Sequence, residues 1–199
     1  LIIDDFDGSP QEVSAPGTET VAYAGAVGGF RTVEIAQSGP LSATAAVVVP
    51  PGIYSHSADA LTSATSSVTW DASGAGLGGV DLVEGFTNNV FEFNVLTIDQ
   101  GFITLIFDVE DTLGAFSTYT VSGATVGNNQ IPFSDFSGTA DFTDVDSIVL
   151  TVQGGVASDL TLDLLATSGT TPSVPEPATL ALMGLGLAGM GFARKRKEI

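Results

Sequence analysis

The sequence predicts an all-β protein, an antiparallel sandwich or barrel, with one short apolar helix appended at its C-terminus. Three observations carry that prediction. Body segments alternate apolar and polar residues with period two, and Gly, Pro, Asn and Ser clusters punctuate them roughly every 8–12 residues. No body segment keeps a helical period for three turns.

Taken in order, the expected strands are Leu1–Phe6, Thr20–Gly25, Thr32–Gln37, Ala43–Val49, Ser66–Asp71, Val90–Asp99, Phe102–Asp111, Phe116–Val121, Ser147–Val152 and Leu160–Thr167. Alternation is clearest late in the chain. In FITLIFDVED, Ile103, Leu105, Phe107 and Val109 share a face, and Thr104, Asp108 and Glu110 share the other. Ile148, Leu150 and Val152 do the same in DSIVLTVQG, as do Leu160, Leu162 and Leu164 in DLTLDLLA. The small polar stretch SGTTPS is expected to end the domain, so the organisation reads as a β domain over 1–168, a linker over 169–174 and a separate segment over 175–199. No repeat of fixed period is visible.

Charge divides the chain in the same place. It has 23 acids against five Lys and Arg, and four of those five bases fall in the last six residues. The body up to Ser173 therefore sets 21 acids against Arg31 alone, a net of −20. Such a surface cannot replace the counterions of nucleic-acid phosphates, which excludes nucleic-acid binding for the body. The composition is nonetheless that of a folded chain, 44% hydrophobic and only 14% charged. The absence of cysteine rules out disulfides, thiolate zinc sites and cysteine nucleophiles.

At the C-terminus, residues 178–193 form 16 uncharged, mostly apolar positions. As a helix they would span roughly 24 Å against a hydrocarbon core of about 30 Å, a marginal crossing. The stretch is apolar all round, unlike a helix docked on a globular body. Arg194, Lys195, Arg196 and Lys197 follow at once and would hold the tail on the cytoplasmic side. Pro175-Glu176-Pro177, the apolar run and the terminal basic cluster together resemble the PEP-CTERM sorting signal of Gram-negative bacteria. That resemblance implies export, a transient inner-membrane anchor, cleavage near Pro175-Glu176-Pro177 by an exosortase-type peptidase, and a destination at the cell surface or in an exopolysaccharide matrix. It also leads to the expectation of an export signal upstream of Leu1. The signal is an address and names no activity.

LIIDDFD, LGGVDL, SDFSGTADFTDVDSIVLTVQG and LTLDLLA together resemble exported proteins whose body is a galactose-binding-like jelly roll. The resemblance implies a β-sandwich in which first and last strands pair, and carbohydrate-binding modules as relatives. By the same resemblance, Asp5 and Asp163 are candidate ligands of a structural calcium between those strands. A second acidic cluster, Asp141, Asp144 and Asp146, lacks the EF-hand spacing and reads better as a turn. Sugar binding would call for exposed aromatics. Tyr54, after PPGI, is the surface candidate; Trp70 is the other, although it shares a strand face with Val68 and so reads first as core. His56, the single histidine, lies in SHS without a G-x-S-x-G elbow and is expected to be an exposed or loosely packed loop residue. No catalytic residues are expected. The reading that results is a non-catalytic surface or exopolysaccharide-matrix protein, the alternative being a specific carbohydrate-binding module with a structural calcium.

Overall fold

The computed structural model describes residues 1–99 and 103–169. Fourteen strands follow in chain order: β1 (Ile2–Asp4), β2 (Gln11–Ser14), β3 (Gly17–Ala22), β4 (Phe30–Ser38), β5 (Ala43–Val48), β6 (Ile53–Ala58), β7 (Ser63–Trp70), β8 (Val90–Ile98), β9 (Ile103–Asp111), β10 (Phe116–Ser122), β11 (Gly127–Pro132), β12 (Ser137–Gly138), β13 (Val145–Gly154) and β14 (Asp159–Ser168). Every pairing among them is antiparallel. One sheet runs β11-β8-β14-β6-β5-β2, with β1 added on β14; the other runs β12-β10-β9-β13-β7-β4-β3. The all-β sandwich expected from the sequence is the fold, and its first and last strands do pair, Ile2 opposite Ala166. The compact unit covers Leu1–Gly169. The rest of the expected linker, the apolar helix and the basic run lie outside the described residues.

The period-two pattern determines the packing. Val33, Val68, Leu105, Phe107 and Leu150 point inward from one sheet, and Phe91, Phe93, Val95, Leu160 and Leu162 from the other; all are buried. Phe107 meets Phe93 across the interior with ring centroids 5.3 Å apart, and Phe91 at 5.7 Å. Two-sided burial of alternate residues is what makes each sheet need the other.

Three sequence expectations change here. A register shift interrupts β14 between Leu162 and Leu165, so Leu165 is buried in the position that alternation assigns to Leu164. Four strands were missing from the expected set: β2, β6, β11 and β12. The third concerns His56 and Tyr54, which sit in β6 rather than in a loop; with Ala58 they fill its inward positions.

Candidate functional site

Three groups of functional side chains gather inside or around the sandwich. The first surrounds Arg31, which β4 points inward between Val33 and the start of the strand. Its Nη1 donates to both oxygens of Asp4, at 2.8 and 2.9 Å. Nη2 donates to the carbonyls of Gly8 and Ser9, and Nε to Gln11 Oε1 at 2.7 Å. The guanidinium also lies over the rings of Phe6 and Tyr23. Asp4 accepts two further bonds, from Trp70 Nε1 at 2.9 Å and from the Phe6 amide at 2.8 Å. Burial, the largest influence on the Asp4 carboxyl, raises its pKa, while the Arg31 charge and these donors oppose it. Trp70 is thereby fixed in the core with none of its surface exposed. The candidate ligand-binding role for Trp70 is therefore corrected: its indole N–H is committed to Asp4 and its ring faces no solvent.

The second group is a chain of three polar side chains between the sheets. The Tyr54 hydroxyl donates to Ser66 Oγ at 2.6 Å, and Ser66 Oγ pairs with His56 Nδ1 at 2.7 Å. All three residues are buried, and His56 Nε2 has no hydrogen-bond partner. Burial lowers the His56 pKa from 6.5 to about 4, with the Asp159 charge acting the other way, and burial likewise raises that of Tyr54. Tyr54, the expected surface aromatic, is thus also corrected: it packs at 6.0 Å from Phe6 and cannot stack on a sugar. His56 is sealed from any substrate.

The carboxylates form the third group. Asp5 accepts from the Tyr23 hydroxyl and from the Asp7 amide, and the Asp5 bond raises the Tyr23 pKa to about 12. Asp163, on β14, accepts from Asn94 Nδ2 at 3.4 Å. The two candidates share no partner. Among the described residues no three acidic or histidine side chains are arranged to hold a metal. In the second acidic cluster, Asp141 accepts from the amide and hydroxyl of Thr143, Asp144 from the Thr112 hydroxyl, and Asp146 from the Gly78 amide. These carboxylates order the loop over residues 71–89 and the turn before β13, and Gly76 and Gly79 are needed there because a Cβ would lie 2.4 Å from Asp146 and Asp144.

The solvent faces carry a different chemistry. Across the second sheet, Thr20, Thr32, Thr69, Val149, Asp108 and Thr118 stand in register on six adjacent strands. One row further, Glu34, Ser67 and Thr151 line a shallow depression of about 220 Å³ with Ala36 and Thr65. A second depression shares Ala36 and Thr65 and continues past Ser38, Ser63 and Gly154, so the two form one groove over β4, β7 and β13. Apart from Glu34 and Gln37 its lining is small or hydroxylated, and it contains no aromatic side chain. Sequence reasoning missed it, because no residue in it is chemically conspicuous by itself.

Residues 173–197 match the PEP-CTERM protein-sorting motif. No curated protein matches the chain. Among solved structures, the chain is similar to the family 11 carbohydrate-binding module of the cellulosomal cellulase Lic26A-Cel5E of Clostridium thermocellum, at 15% identity and TM-score 0.45, over 88% of this chain and 97% of that one. It is similar to TmCBM61 in complex with β-1,4-galactotriose at 8% identity and TM-score 0.40, covering 82% and 90%. A third likeness, to PfGH50B, has 12% identity and TM-score 0.45, and covers 70% of this chain but 23% of that one.

Proposed function

We propose that this chain is an exported, non-catalytic protein of the cell surface or polysaccharide matrix. In this reading a Gram-negative cell delivers it through a C-terminal sorting signal, and an exosortase-type peptidase cuts near Pro175-Glu176-Pro177 after transient anchoring in the inner membrane. The observation that carries the proposal is the sorting-motif match over residues 173–197. The body is consistent with a structural role. Its one Lys or Arg side chain, Arg31, is buried against Asp4, so the described surface presents carboxylates with no Lys or Arg side chain among them. Such a surface stays hydrated and meets polysaccharide by weak polar contact. The test is to replace Glu176 with Ala in the producing cell. The variant should remain in the inner-membrane fraction at its full length; delivery and trimming equal to those of the unchanged protein would overturn the sorting claim.

A second reading, glycan recognition by a defined site, draws support from the groove over β4, β7 and β13. Small residues along its floor leave room for an extended uncharged chain, and Glu34, Ser67 and Thr151 offer hydrogen bonds to its hydroxyls. Calorimetric titration with neutral oligosaccharides should then give saturable binding that Thr65→Trp abolishes without unfolding. Binding unchanged in that variant would sink this reading.

A further inference from the structure

The groove over β4, β7 and β13 carries acceptors that lack donors. Glu34 lines one half of it, turned outward from β4 between buried Val33 and Ile35. Among the described residues the ion pairs are Arg31 with Asp4 and the Leu1 amino group with Glu84, and no side chain donates to Glu34. Gln37 lines the other half. Its Nε2 donates to the Leu41 carbonyl at 2.8 Å, and its Oε1 is buried without a donor. Between the two stand Ser and Thr hydroxyls over small residues, Ala36, Ala64 and Gly154.

The sheet face around the groove adds negative charge and no opposing side chain. Alternation turns Asp108 and Glu110 outward from β9, between buried Phe107, Val109 and Asp111. Arg31, the one guanidinium of the body, points inward to Asp4. Asp108 shares a row with Thr32 and Thr69, one row from Glu34 and three strands across. Strand spacing places the two carboxylates roughly 15 Å apart. They therefore act together on one bound chain at low salt, and separately where the screening length falls to about 8 Å.

We propose that the groove selects an amino sugar, a glycan of the glucosamine class whose free ammonium group lies against Glu34; this rests on the reading of the groove as a glycan site and adds the class of sugar. A uronic or sulfated sugar would bring its own anion to Glu34 with no side-chain cation to neutralise either. A neutral sugar offers the carboxylate hydroxyl donors, which exchange for water at little gain. An ammonium group offers a charge-assisted hydrogen bond, stronger than a neutral one, and follows the field of Asp108 and Glu110 towards the face. A lysine-rich peptide would answer the same charge. The groove, however, has no apolar side chain larger than alanine on which lysine stems could pack, whereas its Ser and Thr hydroxyls match the ring hydroxyls of a sugar.

Calorimetric titration of the full chain in non-ionic detergent, at low salt and a pH that keeps the amine charged, would compare β-1,4-linked oligosaccharides of equal length built from glucosamine, N-acetylglucosamine or glucose. The glucosamine oligomer should bind about tenfold more tightly than the other two. Glu34→Gln should weaken it about fivefold and leave the neutral pair unchanged, whereas Glu12→Gln, on the exposed face of β2 in the other sheet, should change it by less than about twofold. Equal affinities for the three sugars, all lost in Thr65→Trp, would keep the groove as a glycan site and overturn the preference for an amino sugar. Equal losses in Glu34→Gln and Glu12→Gln would mean adsorption to the acidic surface at large and would also overturn it. So would a lysine oligomer that binds as tightly and loses as much in Glu34→Gln. No saturable binding of any oligosaccharide would end the glycan reading of the groove, and this proposal with it.

Discussion

Arg31 and His56 show how much a single residue can be asked to do in this body. Arg31 satisfies Asp4, Gln11 and two loop carbonyls at once, which fixes the N-terminal segment against β4 and Trp70. Removing one partner of such a buried pair leaves the other charged and unpaired. Arg31→Met is expected to cost about 3–5 kcal/mol, lowering Tm by roughly 10 °C in a domain of this size; a thermal melt beside the unchanged protein measures it. His56 makes stability depend on pH in one direction. Its folded pKa lies near 4, below the 6.5 of the unfolded chain, so the unfolded state takes up the proton first. The contribution is complete above about pH 6.5 and lost as pH falls towards 4; a shift of that size corresponds to about 3 kcal/mol. His56→Gln should flatten the denaturation free energy across that window, and an unchanged slope would refute the assignment. Tyr54 marks the limit of reading residues singly. The preceding Pro-Pro-Gly suggests a loop, whereas its hydroxyl has a partner, Ser66, on a strand twelve residues away in sequence.

At the scale of elements, legibility followed contrast between faces. β9 and β13 alternate strongly apolar with polar residues, and their inward sets were readable as they stand: Ile103, Leu105, Phe107 and Val109, then Ile148, Leu150 and Val152. β6 alternates just as regularly, but its inward residues are Tyr54, His56 and Ala58 and two of its three outward ones are serines, so YSHSA reads as turn material. The jelly-roll expectation placed the first strand beside the last, and that was right; of the two carboxylates that the same resemblance offered for calcium, Asp5 accepts from Tyr23 and the Asp7 amide and Asp163 from Asn94. β13 offers an element-scale prediction. A Cβ on Gly154 would lie 2.4 Å from both His56 Nε2 and Ser158 Oγ, so the strand's end can close over β6 only with glycine there. Gly154→Ala should destabilise by about 1–3 kcal/mol. In a double-mutant cycle the loss should shrink when His56 is already Ala, which vacates part of the space; strict additivity would contradict the packing argument.

At the scale of the whole body, the dominant fact is a described surface with carboxylates and no Lys or Arg side chain. With Arg31 and Asp4 neutralising each other inside, the remaining body acids repel one another across the sandwich without any opposing side-chain cation. Salt should therefore stabilise the fold, with Tm rising between about 0.01 and 0.5 M NaCl; a flat profile would mean that the acids are too dispersed to matter. Charge also makes cleavage consequential. The four bases in residues 194–197 stand against a single acid beyond the sorting tripeptide, so their loss leaves the product almost purely anionic. The direct measurement of the central claim is the intact mass of the protein recovered from the extracellular matrix of its producing cell. A chain ending near Pro175-Glu176-Pro177 and lacking ARKRKEI is the expected result. An intact ARKRKEI terminus on matrix-recovered protein would contradict it.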